Sequence, residues 1–237
     1  MVIKPYYQDE WVQIYFGDCR EILPQLPKVD LVLTSPPFNL GNSHHTGNIR
    51  HKAYDDDMPE AEYQEWQLEL LDMLWAVVAC DGSLVYQHKN RIKNGFMITP
   101  YQWLLKTKWT LKQEINWFNG SQNFDKCRFY PMTERLYWMA KSPLTNLDNV
   151  LGLHDDWHIE PTGTDGKFTR AYPEELAQRV IASFPSASLI LDPFLGSGTT
   201  AYCAKKLNRK CIGIEISEKY CEIAAKRCSQ QVFDFTK

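Results

Sequence analysis

Thr34-Ser35-Pro36-Pro37-Phe38-Asn39 closes an apolar run that begins at Val29. Proline fixes φ and removes a backbone N–H, so the turn is stiff and its carbonyls meet few local donors. An amino group on an aromatic ring carries two N–H donors. The Ser35 hydroxyl and the Pro36 carbonyl could accept both, while Pro37 stiffens the turn and Phe38 stacks on the ring face. Ser35, Pro36, Pro37 and Phe38 are therefore candidate catalytic residues. Taken alone, the same residues also fit an ordinary exit from strand to loop.

A second constellation is Asp192-Pro-Phe194-Leu-Gly196-Ser197-Gly198-Thr199-Thr200-Ala201. Its glycines permit a tight turn and a close ligand, and the helix that follows presents N–H groups at its start. Glu215 ends the next apolar run, where its carboxylate could accept both hydroxyls of a ribose. The spacing also satisfies the dinucleotide fingerprint Gly-x-Gly-x-x-Ala, so a nicotinamide cofactor stays open on this motif alone. A P-loop is disfavoured, because no Lys-Ser or Lys-Thr follows the glycines. Asp192 would repel a pyrophosphate and attract an ammonium. S-adenosylmethionine brings an amino group, a sulfonium and a ribose diol without phosphate, and so suits this carboxylate. Asp18, in Gly17-Asp18-Cys19 after another apolar run, could accept from an adenine amino group or be a turn aspartate facing solvent.

Elements must place these turns at one edge. Apolar runs predict strands at Val12–Phe16, Val29–Thr34, Ser83–Gln87, Thr110–Phe118, Arg135–Ala140, Ser188–Leu191 and Lys210–Ile214. Most are continuously apolar, as strands buried on both faces are. Helical spacing covers Glu60–Ala79, with Asp57-Met58-Pro59-Glu60 as a capping box, and then Pro173–Ser183, Gly198–Leu207 and Ser217–Cys228 behind a serine cap. Strands alternating with helices predict an α/β class with an open, mostly parallel sheet, in which ligands sit beyond the carboxyl ends of the strands. Both turns fall there. Two polar, aperiodic stretches, residues 40–56 and 145–167, read as loops that contact a partner.

The chain of 237 residues is 44% hydrophobic and 23% charged, which suits one folded domain spanning residues 1–237. No signal peptide or membrane-length apolar run is present, so a cytoplasmic, prokaryotic or phage-like setting is expected. The seven cysteines form no Cys-x-x-Cys pair, and Cys221 and Cys228 share a helix face as core residues. A net charge of −3 gives no overall pull toward nucleic acid, so any such contact rests on local patches. His44, His45, Arg50 and Lys52 in the first loop, and Lys89, Arg91 and Lys93 after a strand end, are the candidates. The alternative for both clusters is a solvated surface.

The Ser-Pro-Pro-Phe turn, placed before the glycine turn, resembles the amino-methyltransferase family that acts on DNA, in its permuted, β order. The similarity covers most of the chain. It implies a Rossmann-like methyltransferase fold with a seven-stranded, mostly parallel sheet and one antiparallel strand, and S-adenosylmethionine as cofactor. Gly17-Asp18-Cys19 is similar to the family's adenine-binding turn, which brings in Cys19. Asp192–Thr200 is similar to its glycine motif, and Ile212–Glu215 to its ribose-binding strand end. Lys167–Leu176 resembles the segment before the cofactor strand and implies contacts from Lys167, Phe168 and Thr169, although members often carry His-Pro at Phe168-Thr169. Ser35 stands where most adenine-directed members carry aspartate; in the family Ser-Pro-Pro is more usual for cytosine N4.

The expected reaction is methyl transfer to a base amine in DNA, cytosine N4 before adenine N6, on a flipped or single-stranded base, with no metal required. A homodimer and a restriction endonuclease are the further partners the class suggests. Competing readings are an RNA or protein-amide methyltransferase, a nicotinamide oxidoreductase and a non-catalytic DNA-binding decoy.

Overall fold

The computed structural model describes residues 3–41, 56–120, 128–147, 153–161 and 171–230. Strands β1 (Tyr7–Gln8), β2 (Val12–Phe16), β3 (Val29–Thr34) and β4 (Val78–His88) come first. A small hairpin follows, β5 (Arg91–Lys93) and β6 (Phe96–Ile98), and then β7 (Thr110–Phe118), β8 (Thr133–Ala140), β9 (Asp156–His158), β10 (Leu189–Asp192) and β11 (Lys210–Glu215). The helices are α1 (Cys19–Ile22), α2 (Glu60–Val77), α3 (Tyr101–Leu104), α4 (Glu174–Ala182), α5 (Thr199–Lys206) and α6 (Glu218–Ser229).

Nine strands form one sheet in the order β1-β2-β11-β10-β3-β4-β8-β7-β9. β2, β11, β10, β3 and β4 are parallel neighbours, and β8 is antiparallel to both β4 and β7. All seven expected strands are there, and β8 is the one that opposes the other six. The two-residue β1 and three-residue β9 extend the edges, too short to show a period in sequence. β4 is longer than expected because α2 runs directly into it. Its pairing with β3 skips between Val29↔Val78 and Leu31↔Ser83, a bulge that hides the strand's start.

The sheet separates two cores. One packs Leu176, Val180, Ala201, Cys203, Ala224 and Cys228 from α4, α5 and α6 against one face. The other packs Leu70, Leu71 and Leu74 of α2 with Trp103 of α3 against the opposite face. Cys221 and Cys228 are both fully buried, as their spacing predicts.

Two capping expectations change. Pro59, not a capping-box side chain, occupies the N-cap of α2, and Glu60 turns away to pair with Arg91. Ser217 sits at the N-cap of α6 without a side-chain bond, and its N–H donates to Glu215 Oε1 at 2.8 Å.

Candidate active site

Because β2, β3, β10 and β11 are parallel, their carboxyl ends open into one cleft of about 560 Å³. Asp18 and Cys19, the whole of Ser35–Phe38, Phe194, Gly196, Ser197, Thr199 and Glu215 all line it. The two turns on which the sequence argument rests thus face the same space. Sequence reasoning missed Tyr63 and Trp66 of α2, which also line the cleft. They lie on the helix stripe that reads as core. The Trp66 ring meets Phe194 edge-on at 5.7 Å and makes an apolar wall.

The glycine turn is held by two carboxylates. Asp192 is buried on the floor of the cleft. Its Oδ1 accepts from Thr34 Oγ1 at 3.0 Å and from the Phe194 N–H at 3.1 Å; its Oδ2 accepts from Tyr172 Oη at 3.2 Å and from Thr200 Oγ1. Burial pushes its pKa up, against the pull of these four donors. Asp192 therefore ties the ends of β10 and β3 together, a role its sequence position does not reveal. Glu215 accepts the Gly196 N–H on Oε2 and the Ser217 N–H on Oε1, each at 2.8 Å, so both oxygens are aimed before any ligand arrives. Burial raises its pKa as well, against these backbone bonds.

Two residues of this turn do other work than expected. Thr200 is fully buried beneath the turn and spends its hydroxyl on Asp192. Gly198 has φ +86°, and a Cβ there would lie 2.9 Å from Ala224 Cβ. Glycine here lets α5 start against α6. Asp18 caps α1 by accepting the Arg20 N–H at 2.9 Å. It also pairs with the Arg20 guanidinium at 2.6 Å, which holds its carboxyl below the usual range.

Of the cationic candidates, Arg91 is a correction. It is buried, and both terminal nitrogens grip Glu60 at 2.8 and 2.9 Å while its guanidinium lies over the Tyr63 ring at 4.6 Å. A charge so committed cannot reach a phosphate. Lys89 sits over Phe38 at 5.9 Å, and Lys93 is half-buried with Nζ 3.4 Å from the Met58 carbonyl. His44, His45, Arg50, Lys52, Lys167, Phe168 and Thr169 lie outside the described residues. The ends of the first loop are tied together. The Asn39 side chain donates to the Met58 carbonyl at 2.9 Å and accepts the Met58 N–H at 2.7 Å, and the Asn39 N–H donates to Asp56 Oδ1 at 2.8 Å.

A family model described as DNA methylase, for N6 and N4 methyltransferases, matches residues 29–226. The chain belongs to this family. It is 30% identical to the type II methyltransferase M.ScaI of Streptomyces caespitosus over 94% of this chain and 83% of that one. It is 25% identical to M.BglII of Bacillus subtilis over 90% and 67% respectively. Among solved structures, PvuII DNA methyltransferase, described as cytosine-N4-specific, superposes with a TM-score of 0.80. It is 23% identical and matches 99% of this chain and 91% of its own. The M1.HpyAVI–SAM complex superposes at 0.64, with 22% identity, over 92% of this chain and all of that one.

The protein is thus a DNA methyltransferase with S-adenosylmethionine as methyl donor, and the nicotinamide reading of the glycine turn falls. The cleft fits that donor. Ser197 Oγ is buried there without a hydrogen-bond partner among the described residues, an orphan that a ligand would satisfy. Glu215 stands oriented at the strand end for a diol, and Trp66 with Phe194 offers an apolar face. Among the described residues no three His, Cys, Asp or Glu side chains gather as a metal site would need, and no helix is long and apolar enough to cross a membrane.

Proposed function

We propose that this methyltransferase acts on the N4 amino group of cytosine in DNA. The observation that carries the reading is Ser35 at the end of β3, lining the same cleft as Glu215 and Ser197. Serine is shorter than aspartate and neutral, so the amine sits at a different depth and in a weaker field. The cytosine-N4 description of the PvuII relative in fold, together with the family's habit at this position, supports the same choice.

The proposed roles follow from the geometry. Ser35 Oγ and the Pro36 carbonyl accept the two amine N–H groups, and Phe38 stacks on the base. Accepting both donors favours a pyramidal nitrogen with its lone pair localised away from the ring. Glu215 binds the ribose hydroxyls, Asp18 and Cys19 the adenine edge, and the Gly196–Thr199 turn the rest of the cofactor. Bound S-adenosylmethionine supplies an electrophilic methyl. The protein's contribution is then positioning and charge stabilisation rather than strong base catalysis, since neutral Ser35 is a poor base. The new nitrogen–methyl bond forms as the methyl–sulfur bond breaks, and the nitrogen, then cationic and acidic, gives its proton to water or a nearby acceptor. A base inside a duplex cannot reach the cleft, so it is flipped or single-stranded, at a cost of a few kcal/mol. Lys89 and Lys93 contact the backbone beside the flipped base. One catalytic domain spans the chain in a bacterial cytoplasm, and a restriction endonuclease of the same specificity is the expected partner, as the type II names of the relatives suggest.

Incubation with DNA and S-adenosylmethionine, followed by nucleoside mass spectrometry, tests the reading. N4-methylcytosine is expected. N6-methyladenine alone would reject cytosine but leave the enzyme class; no methylated nucleoside at all would favour a decoy.

A further inference from the structure

Behind the Ser-Pro-Pro-Phe turn lies a buried polar network with a readable direction. The Tyr63 hydroxyl oxygen is 2.7 Å from the Pro37 carbonyl oxygen, 2.7 Å from His88 Nε2 and 2.7 Å from Gln67 Nε2. The Tyr86 hydroxyl donates to Gln67 Oε1 at 2.9 Å and accepts the Trp103 indole N–H at 3.3 Å. Tyr63, Gln67, Tyr86, His88 and Trp103 are all essentially inaccessible to solvent.

Both ends of this chain have fixed roles. An indole nitrogen only donates and a carbonyl only accepts. Hydrogen bonds therefore run from Trp103 to Tyr86, to Gln67 and to Tyr63, and end at Pro37. Tyr63 has one proton, and it goes to the Pro37 carbonyl. Its oxygen is left to take the Gln67 amide N–H and an N–H from His88. That calls for His88 as the neutral Nε2–H tautomer, with Nδ1 taking the Lys89 N–H at 2.8 Å although the Lys89 carbonyl oxygen lies equally close to Nδ1, at 2.8 Å. The Tyr63 hydroxyl, the Gln67 amide and the Pro37 carbonyl are then satisfied, and the approach of the Lys89 carbonyl to Nδ1 is the one contact this tautomer leaves without a proton. The other tautomer would put a lone pair against Tyr63, draw its proton away and orphan the Pro37 carbonyl.

The Pro37 ring locks its φ, so ψ is the one soft backbone dihedral that Pro37 itself contributes to the placement of Phe38. A hydrogen bond on the Pro37 carbonyl holds that dihedral. The same network reaches the aromatic ring itself, because His88 packs on Phe38 at 4.6 Å while stacking on Tyr86 at 5.7 Å. Arg91, clamped by Glu60, covers the face of Tyr63.

We propose that Tyr63 is a positioning residue for methyl transfer: its hydroxyl holds the Pro37 carbonyl, and His88 and Gln67 hold that hydroxyl in the donating orientation. The inference rests on the reading that Ser35, Pro36 and Phe38 grip the target amine. Tyr63 touches neither the base nor the cofactor in this role. It sets the angle between the Pro36 acceptor and the Phe38 ring.

Native enzyme and Tyr63→Phe are compared in single-turnover methylation of duplex DNA, with S-adenosylmethionine affinity measured by calorimetry. Transfer should slow on the order of ten- to a hundred-fold, the scale of a small misplacement at a reacting centre. Cofactor affinity should stay within about two-fold, so that the loss lies in the transfer step and not in general loosening of the cleft. A transfer rate within about two-fold of native overturns the proposal, as does an equal loss in rate and cofactor affinity. Imidazole 15N chemical shifts of the native protein give a second readout that needs no variant. His88 should carry its proton on Nε2 at neutral pH, and a proton on Nδ1 overturns the network even if Tyr63→Phe fails to fold. Native enzyme that methylates no DNA would overturn the proposed function, and this inference with it; active native enzyme with an equally active Tyr63→Phe overturns the inference alone.

Discussion

Beneath the glycine turn, Asp192 gathers four donors from β3, the chain before α4, the turn and α5, and Glu215 takes two backbone N–H groups. Beneath the proline turn, carboxylates among the described residues reach only its two ends, Asp192 at Thr34 and Asp56 at Asn39, while a neutral amide and an imidazole meet at the Tyr63 hydroxyl, which holds the Pro37 carbonyl. The contrast follows the ligands. A cofactor with a cationic sulfonium and a diol suits a site of fixed negative groups, prepaid by hydrogen bonds. On the proposed reading the base amine meets two neutral acceptors, the Ser35 hydroxyl and the Pro36 carbonyl, in a set direction. The cofactor side is therefore held from many directions, and the base side depends on a few torsions.

Substitutions can break that contrast. The largest effect is expected at Gly198→Val, where a β-branched residue meets positive φ and the wall of Ala224 together. A loss on the order of 3–5 kcal/mol should appear in denaturant unfolding, with cofactor binding lost too. A stable Gly198→Val protein would show that the turn is less constrained than its contacts indicate.

A matched pair sharpens the comparison next. Glu215→Ala should weaken S-adenosylmethionine binding by about 1–3 kcal/mol, the scale of a charge-assisted hydrogen bond. Phe38→Ala should leave that affinity unchanged and cut transfer by a similar amount through lost stacking, about 1–3 kcal/mol per base. Calorimetry and transfer rates on both variants check this, and crossed effects would mean the two turns have exchanged roles.

The smallest effect concerns acid. Burial pulls His88 from its ordinary 6.5 down to about 3. Between those values the unfolded chain binds a proton that the folded chain refuses, so stability falls as pH drops through 6.5 toward 3. One such group contributes at most about 1.4 kcal/mol per pH unit. Unfolding followed between about pH 6.5 and 4.5 should show this slope in the native protein and a slope shallower by one proton in His88→Gln.

The two turns and the seven central strands were legible because each rests on local chemistry: apolar runs, prolines, glycines and a strand-end carboxylate. The β5–β6 hairpin carried a signal that went unread. Asn94-Gly95 between short strands is the usual two-residue turn, and both residues have positive φ, 51° and 83°. Arg91 misled because a lone arginine near other cations looks solvated, and its partner Glu60 lies 31 residues earlier on another element. The structural work of Asp192 was not legible, because its four donors come from residues 34, 172, 194 and 200, which only the folded sheet assembles. Tyr63 and Gln67 sit within a helical stripe, where a hydroxyl or an amide looks like a minor blemish in the core.

The Asn39–Met58 clasp has a consequence for how such a protein can diversify. Two side-chain bonds imitate a backbone bridge between the exit of the catalytic turn and the entrance of α2. The clasp thereby closes a covalent and hydrogen-bonded ring between Asn39 and Met58. Doubling the length of such an insert costs only about 0.6 kcal/mol of closure entropy. A segment of another length could be grafted between these two residues while the clasp keeps the exit of the Ser-Pro-Pro-Phe turn and the entrance of α2 together.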